Sequence, residues 1–345
     1  MGDILGVGVT HYPPGLVPDE YKPWPLVRML QGNRIPAHMK DPANWPEPMR
    51  AEWGDDEGIT SHKEHRARLF KAFRKIREEI DAFRPDFIVI WGDDQYENFQ
   101  EDIIPPFCVL AYDRVGFRPF QRLGGKPNIW GEPEDKTFIS PGHQEAGRFL
   151  ARRLLTEGID VAYAYKPLHK EGLGHAFANT VLYLDLERKG FPYPIVPVTV
   201  NCYGKNVVRM HGGSEKAHSA DFDPPSPSPR RCFEVGQATA RALKDSPWRA
   251  VLMASSSWSH GFLTEKNALL YPDLEADRIL LKHLKTGDYF KWKDVKLEDV
   301  EQSGQQEVLN WFCLVGAMDE LSKKVDIVEW AESWTFNAKC LAVFR

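Results

Sequence analysis

The sequence predicts an α/β fold, a core sheet flanked by helices. Two observations carry that prediction. Short apolar runs rich in Val, Ile and Leu, each bounded by Gly, Pro or Asp, alternate with longer stretches of helical period. The first of these runs is followed by a helical stretch and then a second run, which is a strand–helix–strand unit. No internal repeat is visible, and residues 1–345 read as one catalytic domain.

Composition narrows the class. The chain has 345 residues, 42% hydrophobic and 27% charged, enough for a large core. The formal net charge is −5 and no basic block stands out, so nucleic acid is not an expected partner. No apolar run reaches the ~20 residues of a membrane span. No basic stretch followed by an apolar core opens the chain, so it reads as lacking a signal peptide. The five cysteines (Cys108, Cys202, Cys232, Cys313, Cys340) are scattered without a CxxC pair. They read as buried thiols in a reducing cytoplasm.

Taken in order, Asp3 to Thr10 forms a buried strand that Pro13 and Pro14 terminate, leaving His11 at its C-terminal lip. Residues 15–60 are rich in Pro and Trp and show no period. They read as an ordered irregular excursion and a candidate lid. Thr60 or Ser61 is the expected N-cap of a helix that carries Leu69, Phe73, Ile76 and Ile80 on one face and stops at Pro85. Phe87–Trp91 is a second core strand, closed by Gly92-Asp93-Asp94-Gln95. The helix starts on the side where the first strand ends, so His62 and His65 are expected near His11. Strands follow at 107–112, 161–165 and 195–201, and a helix at 143–155. Residues 172–180 read as a glycine-flanked loop carrying His175. Residues 204–230, rich in Gly, Ser and Pro, read as an exposed loop. A helix over 233–243 leads to the strand Ala250–Ala254, which runs into Ser255-Ser256-Ser257-Trp258-Ser259-His260. Helices are predicted over 275–285 and 303–322, the latter opened by a Ser303/Gln306 capping box with Glu307 on its first turn. Residues 339–344 form the last strand.

The strand ends thus gather His11, Asp93, Asp94, Gln95 and His260, with His62, His65, His175 and Glu307 arriving from elsewhere. In open α/β sheets this lip is where ligands and metals bind. Two imidazoles and one carboxylate with open positions suit a non-haem Fe(II) oxygenase, and a further histidine off the metal can carry a proton.

Several segments together resemble the class III extradiol ring-cleavage dioxygenases, the superfamily of the protocatechuate 4,5-dioxygenase β subunit. Gly6-Val7-Gly8-Val9-Thr10-His11-Tyr12-Pro13 is similar to that family's first strand and first iron histidine. Pro85 to Asp94 and Ile103 to Phe107 resemble the segments around its second iron histidine. Gly174-His175 resembles its substrate-contacting histidine, and Trp258-Ser259-His260 its acid/base histidine. Ser303 to Glu307, with Trp311 and Gly316-Ala317, resembles the helix that carries its iron glutamate. The resemblance implies a mixed, largely parallel central sheet, Fe(II) as cofactor, and a small catecholic or related phenolic substrate that meets O₂ there and is opened beside its diol. It further implies His11 and Glu307 as metal ligands, His260 and His175 as catalytic residues, and Tyr12, Asp94, Gln95 and Tyr203 as substrate contacts. A homodimer is the default oligomer.

One position departs from the pattern. Where the family places its second iron histidine this chain has Gln95. His65 is the expected replacement ligand, with His62 and Gln95 itself as alternates. Two other functions compete: a zinc hydrolase on the same scaffold, and a non-catalytic paralogue with an altered metal site.

Overall fold

The computed structural model describes residues 2–169, 172–210 and 223–345. Its strands are β1 (Asp3–Val9), β2 (Phe87–Asp93), β3 (Phe107–Leu110), β4 (Arg114–Phe117), β5 (Phe138–Pro141), β6 (Ala162–Ala164), β7 (Ile195–Val200), β8 (Arg249–Ser255), β9 (Val325–Ala331) and β10 (Lys339–Phe344). Its α-helices are α1 (Trp24–Gln31), α2 (Glu47–Trp53), α3 (Ile59–Phe83), α4 (Gln144–Thr156), α5 (His175–Leu184), α6 (Pro229–Lys244), α7 (Leu274–Thr286), α8 (Leu297–Gln302) and α9 (Leu309–Glu320).

Eight strands form one sheet in the order β6-β3-β7-β2-β8-β1-β10-β9, and β4 pairs with β5 alone. The centre, β7-β2-β8-β1, is parallel, whereas β3 and β10 join it antiparallel. The sheet is therefore mixed and largely parallel, as expected. Side chains alternate between its two faces. Leu5, Val7, Val9, Ile88, Ile90, Val251 and Met253 pack with α3 and α5. Ile4, Phe87, Val89, Trp91, Leu252 and Ala254 pack with α4, α6 and α9. On this second face β1 presents Gly6 and Gly8. A Cβ at Gly8 would lie 2.0 Å from the Trp311 ring, so glycine here makes room for α9. Helix α9 is buried all round, as an apolar run without a polar face must be.

Several local expectations change. Helix α3 begins at Ile59, and Asp56 accepts from Thr60 N (3.0 Å) and Thr60 Oγ1 (2.6 Å) in place of a Ser61 or Thr60 cap. The excursion holds helices α1 and α2, whose turns are too short to display a period. It forms a small core of Leu26, Ile35, Trp45, Met49 and Trp53 against Leu270. The supposed loop at 172–180 is the start of α5, because the apolar Ala176, Phe177, Ala178 and Val181 bury along it. Ser303 closes α8, so the capping box does not form, and Glu307 lies in a 3₁₀ turn ahead of α9. Of the loop at 204–230, residues 211–222 lie outside the described residues, while Gly204, Val207, Met210 and Ser226 are buried. Strands β4, β5 and β9 were not foreseen; the first two are only four residues long, too short for alternation to show. Among the described residues no helix is long and apolar enough to cross a membrane. All five cysteines are free and buried.

Candidate active site

The parallel strands end on one lip, and the chemistry collects there. β1 delivers His11, β2 ends in Asp93 and leads to Gln95, β7 leads to Tyr203, and β8 leads to His260. α5 brings His175 at its first residue, and the turn before α9 brings Glu307.

His11 is 2% exposed. Its Nδ1 donates to the Ser255 carbonyl (3.1 Å), which turns the Nε2 lone pair into the site. Nε2 lies 3.7 Å from Asp93 Oδ1 and 3.5 Å from Glu307 Oε2. The His175 ring meets that of His11 edge-on, with centroids 4.9 Å apart. His175 Nδ1 donates to Glu97 (3.0 Å), and so does its backbone N–H. Glu97 is itself clamped by Arg122. A ring nitrogen from each of His11 and His175 and a carboxylate oxygen of Asp93 lie within 4.8 Å of one another.

Glu307 is the pivot. Its Oε1 accepts from Tyr203 Oη (2.9 Å) and Gln95 Nε2 (3.0 Å). Its Oε2 lies 3.4 Å from His260 Nε2 and has no hydrogen bond, though it is buried. Gln95 Nε2 also donates to Asp93 Oδ2 (2.9 Å). The amide orientation follows from its neighbours, since a carbonyl oxygen against two carboxylates would repel both. Gln95 therefore acts as a brace between Asp93 and Glu307. Asn310 Nδ2 completes the support of Asp93 at 3.4 Å.

Burial sets the protonation. It lowers His11 and His175 to about 4 and His260 to about 3, so all three imidazoles are neutral at pH 7. Burial, reinforced by the Asp93 charge, pushes Glu307 well above the usual carboxylate range. A buried carboxylate with an orphaned oxygen needs a proton or a cation. Two imidazoles with anchored rear nitrogens and two carboxylates form a donor set that fits a divalent transition metal.

Not every expected residue arrives. His62 and His65 stand apart: among the described residues the metal-competent group contains neither. Helix α3 packs on β9 and β10 as well as β1, so its first turns lean away from Asp93 and Glu307. The His62 ring rests on Phe336 (4.7 Å), and both histidines line a separate cavity with Lys22 and Lys339. Asp94 is a turn former rather than a substrate contact, since its oxygens accept from the backbone N–H groups of Glu97, Asn98 and Phe99. Tyr12 lines the cavity of His62.

Sequence reasoning missed Glu97, Asn310 and Asp277. Asn310 had a signal, a lone amide in the apolar run 308–315. So had Asp277, set among Leu274, Leu280, Leu281 and Leu284 on the buried face of α7. Glu97 sits in an irregular loop and had none.

Asp277 holds the strand end that carries His260. It accepts from Ser259 N (3.1 Å), Ser259 Oγ and Gln305 Nε2 (2.7 Å). Complete burial raises its carboxyl from 3.8 to about 7, opposed by these donors. The folded chain thus keeps this proton after the unfolded chain has released it. The Asp277 contribution to stability is full below about pH 4, falls as pH rises towards 7, and is level above that. Asp277→Asn keeps the shape, because Ser259 Oγ can rotate to accept. Relative to the parent, it is expected to gain on the order of 1–3 kcal/mol between about pH 5 and pH 8. Urea unfolding at the two pH values measures this, and a parallel shift of both proteins counts against it.

Comparison with known proteins bears on this lip directly. Residues 221–344, which include His260 and Glu307, match the family described as the catalytic LigB subunit of aromatic ring-opening dioxygenase. That match covers less than half of the chain. The chain is 28% identical over 189 residues to a 2,3-dihydroxyphenylpropionate/2,3-dihydroxycinnamic acid 1,2-dioxygenase of Pseudomonas putida, an alignment covering 54% of this chain and 47% of that protein. It is 25% identical over 192 residues to the enzyme of the same name from Photorhabdus laumondii, covering 55% and 48%. The chain thus spans about half the length of the curated relatives it matches. The crystal structure of the uncharacterized protein JW3007 from Escherichia coli K12 superposes with a TM-score of 0.50 at 11% identity, over 80% of this chain and 92% of that one. That likeness concerns the fold.

Proposed function

We propose that this chain is a non-haem Fe(II)-dependent extradiol dioxygenase that opens a small catechol-type ring with O₂. The observation that carries the reading is the set of His11, His175, Asp93 and Glu307 at one strand lip, with Glu307 Oε2 buried and unpartnered. These residues would hold the metal. Bound iron supplies Lewis acidity towards the diol and a path for electrons to O₂.

The chain's own residues do the rest. His260 presents Nε2 to the site, 3.4 Å from Glu307 Oε2, where it would exchange a proton with a phenolic oxygen. His175 is fixed by Glu97, which holds its far nitrogen towards the other donors of the set. Tyr203 and Gln95 hold Glu307 in place. The low exposure of His11, Asp93 and Glu307 excludes water from the reacting atoms. Five unpaired buried thiols agree with a cytoplasmic setting.

Gln95 favours one second reading, a paralogue that keeps the scaffold but has traded metal binding for a brace between Asp93 and Glu307. One experiment separates the two. Protein purified anaerobically and loaded with Fe(II) is expected to hold one iron per chain and to consume O₂ with a catechol, producing a yellow ring-opened product. Iron retention without O₂ uptake on any of a panel of catechols rejects the dioxygenase. No iron retention at all supports the paralogue, and tight zinc with hydrolytic turnover would support a hydrolase.

A further inference from the structure

The proton carrier and the carboxylate of the proposed reaction reach the lip on two separate segments. His260 follows β8, and Glu307 lies in the turn ahead of α9. Their facing atoms, Nε2 and Oε2, stand 3.4 Å apart. That spacing depends on how the two segments are joined.

Part of the joint is backbone. His260 N donates to the Gly304 carbonyl (2.9 Å), and Thr264 Oγ1 donates to the His260 carbonyl (2.8 Å). Gly304 has a φ of +66°, and a Cβ there would fall 2.7 Å from the His260 carbonyl oxygen, so glycine permits the approach.

The rest of the joint is one side chain that belongs to neither segment. Asp277 of α7 and Ser259 are 0% exposed, and Gln305 is 3% exposed. Oδ1 of Asp277 accepts from Ser259 N (3.1 Å) and Gln305 Nε2 (2.7 Å), and Oδ2 accepts from Ser259 Oγ. Ser259 immediately precedes His260, and Gln305 stands two residues before Glu307. Gln305 is tied into its own turn, since its N donates to the Val300 carbonyl (2.9 Å) and its carbonyl accepts from Val308 N (2.9 Å). A shift of Asp277 therefore moves both segments. Among the described residues its carboxylate takes hydrogen bonds from Ser259 and Gln305 only. Packing gives no reason for a carboxylate here. Leu274, Leu281 and Leu284 fill the same buried face of α7, and one more apolar residue would bury at less cost.

We propose that Asp277 is a positioning residue that fixes His260 and Glu307 relative to one another, so that proton transfer and metal binding both depend on one buried carboxylate outside the site. Its kinetic consequence rests on the ring-opening reading, whereas the placement of the two side chains is testable without it.

The test compares Asp277→Ala, Asp277→Asn, Ser259→Ala and Gln305→Met. The readouts are kcat and KM on the catechol that the parent opens fastest, anaerobic Fe(II) affinity, and melting temperature. Ser259→Ala is expected to lower kcat about 10-fold and to leave KM and iron affinity within about 2-fold. Gln305→Met is expected to weaken iron binding about 10-fold. Asp277→Ala is expected to do both, by about 10–100-fold each, because it releases both segments. Asp277→Asn offers the same oxygen to Ser259 N and Gln305, and it is expected to restore both quantities to within about 3-fold of the parent. A folded Asp277→Ala that melts lower but keeps its kcat and iron affinity overturns the proposal, and so does an Asp277→Asn as damaged as the alanine variant. Should Asp277→Ala fail to fold, unchanged kcat in Ser259→Ala together with unchanged iron affinity in Gln305→Met overturns it. If the parent opens no catechol, the ring-opening reading fails, and the ¹⁵N signals of the His260 imidazole in metal-free protein, assigned with His260→Gln, decide the placement. They are expected to move in Asp277→Ala, or in Ser259→Ala if that variant does not fold, and to stay in Asp277→Asn. Signals that stay in the alanine variant overturn the proposal.

Discussion

Glu307→Gln is expected to fold at least as well as the parent and to lose roughly 10²–10⁴-fold in ring-opening kcat/KM. Both halves follow from the same contacts. The carboxylate sits at full burial with Oε1 accepting two hydrogen bonds and Oε2 accepting none. An amide of the same shape keeps its oxygen towards Gln95 and Tyr203. Its NH₂ then faces His11 Nε2 and His260 Nε2, which lie 3.5 and 3.4 Å from the replaced oxygen. Because His11 Nδ1 is already the donor to Ser255, Nε2 is free to accept. Removing an uncompensated buried charge is expected to add about 1 kcal/mol or more to the stability of the metal-free protein. The amide has no charge to offer a cation, so iron retention falls with turnover. O₂ uptake, iron content and urea unfolding check the three statements. A destabilised variant that keeps its iron would refute the assignment of Glu307.

Gly236→Val is expected to leave no folded protein, and Gly236→Ala to lose about 3 kcal/mol or more. Helix propensity alone favours alanine over glycine by about 1 kcal/mol, so the sign of the change is diagnostic. A Cβ at Gly236 of α6 would fall 1.8 Å from the Cys313 carbonyl oxygen of α9. The contact is reciprocal, since a Cβ at Gly316 of α9 would fall 2.1 Å from the Phe233 carbonyl oxygen of α6. The two helices touch backbone to backbone, and α9 in turn seats Trp311 against Gly8. Forcing them apart displaces α9 and the turn ahead of it that carries Glu307. Gly158→Ala, where a Cβ meets nothing within 4 Å but φ is +76°, isolates the backbone cost at about 1 kcal/mol. Denaturant titration of the alanine variants separates packing from propensity.

How much of this was legible in the residues depended on range. The strand runs ending at His11, Asp93 and Ser255 were readable because β-branched stretches and their breakers are local signals. The alternation of strand and helix then fixed which end faces the ligand. Glu307 was found because a carboxylate ahead of an all-apolar run has few places to go. His65 was misplaced because its position depends on how far α3 tilts towards β9 and β10, which no local pattern encodes. Gln95 was recognised as a departure, but its role as a donor to two carboxylates needed their positions. Lys22 and Lys339 looked like ordinary charged residues, one in an aperiodic stretch and one at a strand start. Only the tertiary structure reveals that both are buried beside the same space.

The place of β1 in the sheet has a consequence for how the protein is made. β1 is gripped on one side by β8 and on the other by β10, both of which come far later in the chain. Its hydrogen-bonding edges stay open until residues 249–255 and then 339–344 have been synthesised. At about 5–20 residues per second that wait is roughly 15–70 s. Throughout it, an apolar strand with two unpaired edges is exposed to every other nascent chain nearby. Its glycines and the two prolines just beyond it weaken its tendency to pair wrongly. Shielding β1 until β8 and β10 have been made is therefore expected to raise the yield of folded protein.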